Sequence, residues 1–104
     1  MSVTMNKIKI TVVKKVRHDE LIEKYENPIE HECDVKLGQV FFSEHGEMPQ
    51  GMCVEAWKSI REFAQALAKG GGNFFDGWMK DPKSAMVSCS DGFRPVSFYI
   101  EAVE

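Results

Sequence analysis

The chain has 104 residues and a net charge of −3, with 43% hydrophobic and 28% charged residues, which suits one small globular domain and leaves no material for a second core. No apolar run approaches the roughly 20 residues of a membrane-crossing helix, and the lysines are scattered apart from Lys14-Lys15, so neither a bilayer nor a nucleic-acid backbone is an expected partner. The first residues lead into a strand pattern instead of a secretory signal, and three widely spaced cysteines do not make a disulfide framework, so the expected location is the reducing cytoplasm.

In chain order, residues 6–16 alternate, with Ile8, Ile10 and Val12 on one side and Lys7, Lys9 and Thr11 on the other. That is a strand. The alternation slips at Val12-Val13, which predicts a bulge. His18-Asp19 then caps a short helix with Leu21, Ile22 and Tyr25 on one face, stopped by Asn27-Pro28. Residues 29–37 are polar and irregular, and residues 39–43 form a short strand. A second polar loop holds Glu44, His45 and Glu47 and ends in a Pro49/Gly51 turn.

Apolar residues at Cys53, Trp57, Ile60, Ala64 and Leu67 then recur in steps of three and four, which predicts a helix over 53–69, ended by Gly70-Gly71-Gly72. Lys58 and Glu62 form an (i, i+4) pair on its wet side. Asn73-Phe74-Phe75-Asp76-Gly77-Trp78-Met79 places four large apolar side chains in seven residues, read as a lid over the open end of the core in preference to a pocket wall. Residues 85–90 and 96–103 alternate as the two strands of a hairpin, joined through Asp91-Gly92-Phe93-Arg94-Pro95. The expected fold is therefore α+β: a small, mainly antiparallel sheet packed against one long helix, with a second short helix. Trp57, Ile60 and Leu67 should meet Ile8, Ile10, Val40, Val87, Phe98 and Ile100.

The chemistry-bearing candidates are the cysteines. No Ser, Thr, Asp or Asn heads the 53–69 helix, so its first N–H groups need another acceptor, and Cys53 stands there. A helix N-terminus favours the nucleophilic thiolate form. Against this, Cys53 lies one turn below Trp57 on the apolar stripe, and free cysteines are commonly buried; packing ranks ahead of chemistry on that ground. Cys89 lies at a strand end beside Asp91 and Arg94, where Arg94 suits a carboxylate or phosphate ligand but more simply contacts Asp91 within the turn. Cys33, Cys53 and Cys89 with His31 or His45 would supply four zinc ligands in composition, yet gaps of 20 and 36 residues lack the paired spacing of zinc motifs. No metal or cofactor is assigned. A catalytic triad is unsupported by any nucleophile-elbow pattern, and the phosphate-loop and dinucleotide fingerprints are absent. Trp57 and Trp78 complete the set of binding candidates, with Arg94 and Asp91.

Cys33 with Gly38, the stretch Pro49-Gln50-Gly51-Met52-Cys53-Val54-Glu55-Ala56-Trp57, and Cys89-Ser90-Asp91-Gly92-Phe93-Arg94-Pro95 together form a pattern over nearly the whole chain. It resembles a family of small bacterial and archaeal proteins of uncharacterised function, about 100 residues long and marked by three cysteines and Pro-x-Gly-x-Cys-x-x-Ala. In that family the residue after the glycine is often acidic and prolines follow the second and third cysteines; Gln39, Val54 and Ser90 depart from this. The resemblance implies a single-domain unit with three marked cysteines and supplies no reaction. Three readings follow in order: a structural or binding module, self-associating through sheet edges and the Phe74/Phe75/Trp78 cluster; thiol chemistry centred on Cys53; and metal binding. The identity of any small-molecule ligand is not written in the sequence.

Overall fold

The computed structural model describes residues 5–29 and 35–103. Four strands form one antiparallel sheet: β1 (Lys7–Lys15), β2 (Val40–Ser43), β3 (Ser84–Ser88) and β4 (Val96–Val103), in the order β2-β1-β4-β3. Two helices, α1 (Asp19–Tyr25) and α2 (Val54–Ala68), complete the α+β fold. The slip at Val12-Val13 is a register shift between Val12 and Lys14 against β4, so the bulge falls where the alternation breaks.

The 15-residue α2 lies against β1, β3 and β4. Its Trp57, Ile60, Ala64 and Leu67 are buried on the same side as Ala56 and Ala68, and share a core with Ile8, Ile10, Val12, Ala85, Val96, Phe98 and Ile100. Val87 is partly buried against this core. Val40 is not part of it. Phe41 takes the inward position, because buried Ser43 also points inward and donates its hydroxyl to Glu47 C=O at 2.6 Å, which fixes the phase of β2.

Both ends of α2 are set locally. At its C-terminus Gly70, at φ +91°, donates its N–H to Leu67 C=O (3.0 Å), and Gly71 donates to Ala66 C=O (2.8 Å), the paired bonds of a Schellman cap. Asn6 adds a backbone N–H to Ala68 C=O (2.8 Å) and its side-chain amide to Leu67 C=O (3.3 Å), which ties the strand entry to the helix end. On the wet face Lys58 pairs with Glu55, at 3.7 Å and three residues apart, instead of with Glu62.

Apolar residues remain outside the core in two places. No residue of α1 is buried, and Tyr25 and Leu21 are exposed, so the Leu21/Ile22/Tyr25 face does not enter the core. The 73–79 segment is only partly a lid. Phe74 packs edge-on against Phe63, with centroids 5.0 Å apart, but Phe75 is 74% exposed and Trp78 43% exposed, their rings meeting edge to face outside the core. Among the described residues no helix is long and apolar enough to cross a membrane.

Candidate functional site

The turn before α2 delivers Cys53. Gly51 adopts φ +84°, Met52 N–H closes the turn on Pro49 C=O at 3.3 Å, and the Met52 side chain is buried, which leaves the next residue at the surface. Cys53 is the N-cap residue, with extended backbone angles (φ −62°, ψ 130°), and its C=O accepts the first helical bond from Trp57 N–H at 3.0 Å. Its side chain makes no cap hydrogen bond, and the residue is exposed. This corrects both sequence expectations for the position: the thiol is not the missing cap acceptor, and Cys53 does not continue the buried stripe. The stripe begins at Ala56 and Trp57, because the chain turns out of helical geometry at Cys53 and re-aims its side chain.

Cys89 follows the last residue of β3 and is held from three sides. Its N–H donates to Val96 C=O at 3.0 Å, its C=O accepts the Ser88 hydroxyl at 2.8 Å, and its Sγ accepts the Val96 N–H at 3.3 Å. The residue is half-buried, packed against the core. The next residue attaches this connection to α2, since Ser90 N–H donates to Ser59 Oγ at 3.1 Å and the two hydroxyls lie 3.1 Å apart.

Cys53 and Cys89 line one cavity of about 320 Å³ between the head of α2 and the β3–β4 connection. Its floor is Ala56, Val96 and Phe98, and Glu55, Asp91 and Arg94 supply charge at its walls. Asp91 shapes the connection as an Asx turn, its Oδ1 accepting the N–H groups of Phe93 (2.8 Å) and Arg94 (3.3 Å). The Arg94 guanidinium is not chiefly a partner of Asp91, which it approaches at 3.7 Å. It forms a bidentate pair with Glu26 at the end of α1, Nη1 donating to Oε2 at 3.0 Å and Nη2 to Oε1. The pair is largely buried, with side-chain exposures of 11% and 16%, so the positive charge facing the cavity is already compensated. Glu26 gave no signal in the sequence, because its partner is 68 residues away.

The other sequence candidates lie elsewhere. Trp57 is 7% exposed and belongs to the core. Trp78 sits with Phe75 in the outer aromatic cluster, and neither lines the cavity. His45, at φ +57°, borders a separate hollow with Met5, Lys7 and Glu44. The adjoining Gly46 C=O accepts the Gln65 amide at 3.1 Å, which places this loop about 18 Å along α2 from Cys53 at 1.5 Å per residue. His31 and Cys33 lie outside the described residues. Among the described residues no three His, Cys, Asp or Glu side chains converge as metal donors. The arrangement offers an apolar hollow with an exposed thiol on one wall and a fixed thiol on the other. No protein-family model, curated protein or solved structure matches the chain, so the chemistry of this site rests on its own residues.

Proposed function

We propose that the chain is a small-ligand binding module whose ligand occupies the cavity between the head of α2 and the β3–β4 connection. The cavity itself carries this reading: an apolar floor of Ala56, Val96 and Phe98 with a few convergent polar groups is the usual build of a ligand site. Glu55 and Asp91 are exposed acids at its edge, while Glu26 neutralises Arg94, so the favoured ligand is neutral or cationic with an apolar body. A reducing compartment such as the cytoplasm suits its free thiols. Self-association through a sheet edge or the Phe75/Trp78 cluster belongs to the same reading.

The test is a screen of small neutral and cationic compounds by amide chemical shifts, run on the native protein and on Ala56→Leu, which fills the floor. Binders should move the amides of Cys53, Ala56, Cys89 and Val96 and lose affinity at least tenfold in Ala56→Leu, whose thermal transition confirms folding. Binders that ignore the filled cavity would sink the reading.

A second reading, thiol-dependent chemistry at Cys53, is favoured by the exposure of that residue and its unused cap position. Native labelling with iodoacetamide should then modify Cys53 first, and Cys53→Ser should remove the fast phase. Thiols that stay inert until denaturation would eliminate it.

A further inference from the structure

Two thiols with different exposure face the same cavity, and that asymmetry assigns them different tasks. Cys53 is exposed at the mouth, whereas Cys89 is half-buried with its sulfur held by the Val96 N–H at 3.3 Å. We propose that Cys53 and Cys89 are a redox pair that accepts oxidation from a low-molecular-weight disulfide, and that their disulfide and an occupied cavity exclude each other.

The steps balance without a further reagent. The Cys53 thiolate attacks one sulfur of R–S–S–R. That S–S bond breaks, one thiolate leaves and takes a proton as RSH, and Cys53 carries –S–R. Cys89, its proton passing to solvent, then attacks the Cys53 sulfur. The second RSH leaves and a Cys53–Cys89 disulfide remains. The protein gives up two electrons and two protons, and the external disulfide is reduced to two thiols.

Exclusion follows from position. Both thiols line the hollow, and a disulfide holds its two Cβ atoms about 4 Å apart. The bond therefore takes the space that a ligand lying between the two thiols would fill. The β3–β4 connection is exposed from Ser90 to Gly92 and is fastened to α2 on this side by the Ser90–Ser59 hydrogen bonds, which keep the two walls of the hollow side by side. Anything that fills the cavity holds the thiols apart, and the disulfide in turn lowers affinity for a ligand there, as reciprocal linkage demands. Only this linked half rests on the ligand reading above; the disulfide stands or falls on its own measurement.

The experiment uses Cys33→Ser, which leaves the two cavity thiols, and dithionitrobenzoate as the external disulfide. The expected result is release of two thionitrobenzoate equivalents per chain, a protein mass lower by two hydrogens, and a cross-linked peptide joining Cys53 to Cys89. Cys89→Ser in the same background should stop at one equivalent with the adduct on Cys53. Ala56→Leu in that background should leave the first release unchanged and slow the second more than tenfold. A Cys53 adduct that persists with Cys89 present, or two separately modified thiols, overturns the pair. An unslowed second release in Ala56→Leu overturns the exclusion alone. Should Cys33→Ser fail to fold, peptide mapping of the unsubstituted chain gives the same decision, and a disulfide that involves Cys33 instead overturns the proposal.

Discussion

Replacing Trp57 with alanine tests the packing that positions the site, because the indole anchors α2 one turn after Cys53. A buried tryptophan removes about 250 Å² from water, and at 7% exposure nearly all of that is lost on truncation. At about 25 cal/mol per Å², less a fifth to a third for compactness of the unfolded chain and for the area alanine retains, the loss is about 4 kcal/mol. That falls within the roughly 3–5 kcal/mol seen when aromatic residues are emptied from cores. For a domain of this length it corresponds to a fall in melting temperature of about 20 °C. Urea denaturation followed by far-ultraviolet circular dichroism measures it directly, with Trp57→Phe as the conservative control, expected to lose less than about 2 kcal/mol. A Trp57→Ala protein within about 1 kcal/mol of the parent, at an unchanged denaturant slope, would refute the placement of Trp57 in the core.

The remaining expectations concern the clasp, a crowded glycine and the oligomeric state. Glu26→Gln removes the charge opposite Arg94 in a pair that is mostly shielded from water, and should cost about 2 kcal/mol in denaturant titration; a loss below about half a kilocalorie would mean that the clasp holds nothing. Gly72→Ala would set a Cβ 2.4 Å from Pro82 C=O at a residue with φ +158°, and should cost about 2 kcal/mol or more by strain and overpacking, whereas an unchanged melting temperature would argue against that approach. Sedimentation at high micromolar concentration should show a dimer that Phe75→Ser with Trp78→Ser weakens. A monomer under those conditions removes the self-association reading.

What was legible in the sequence is what repeats locally. The phase of α2 from Trp57 to Leu67, the inward set of β1 and β4, and the bulge at Val12-Val13 all follow from periods of 3.6 and 2. The β2 phase was not legible, because Val40-Phe41-Phe42 is apolar in both phases and the decision falls to the hydrogen bond of Ser43 with Glu47. The helical pattern of α1 is legible from Leu21, Ile22 and Tyr25, but what holds the helix is not: none of its residues is buried, and its end is held by the Glu26–Arg94 pair. The cavity has no local signature, since its two thiols are 36 residues apart and meet only through the packing of α2 on the hairpin. The exposed aromatics at Phe75 and Trp78 show the same limit, because composition predicts that such a cluster needs cover and cannot say that, of its three aromatic rings, Phe74 packs against the core.

The head of α2 is where local stability and the proposed site oppose each other. Serine, threonine, aspartate or asparagine at an N-cap accepts an orphan backbone N–H and typically stabilises the helix by about 1 kcal/mol relative to a residue that does not. Cys53 occupies that position, with suitable extended backbone angles, and makes no such bond. Cys53→Ser keeps the size and backbone angles of the residue and adds the missing acceptor, so the substitution should raise stability by about 0.5–1 kcal/mol, a few degrees in melting temperature. The same substitution should abolish the fast labelling phase and the disulfide with Cys89. A gain in stability together with loss of thiol reactivity is the pattern of a residue retained for chemistry at a cost to the fold. If Cys53→Ser instead lowers stability by 1 kcal/mol or more, the cysteine side chain contributes packing at the cavity wall, and its exposure at the cap is not a sign of function.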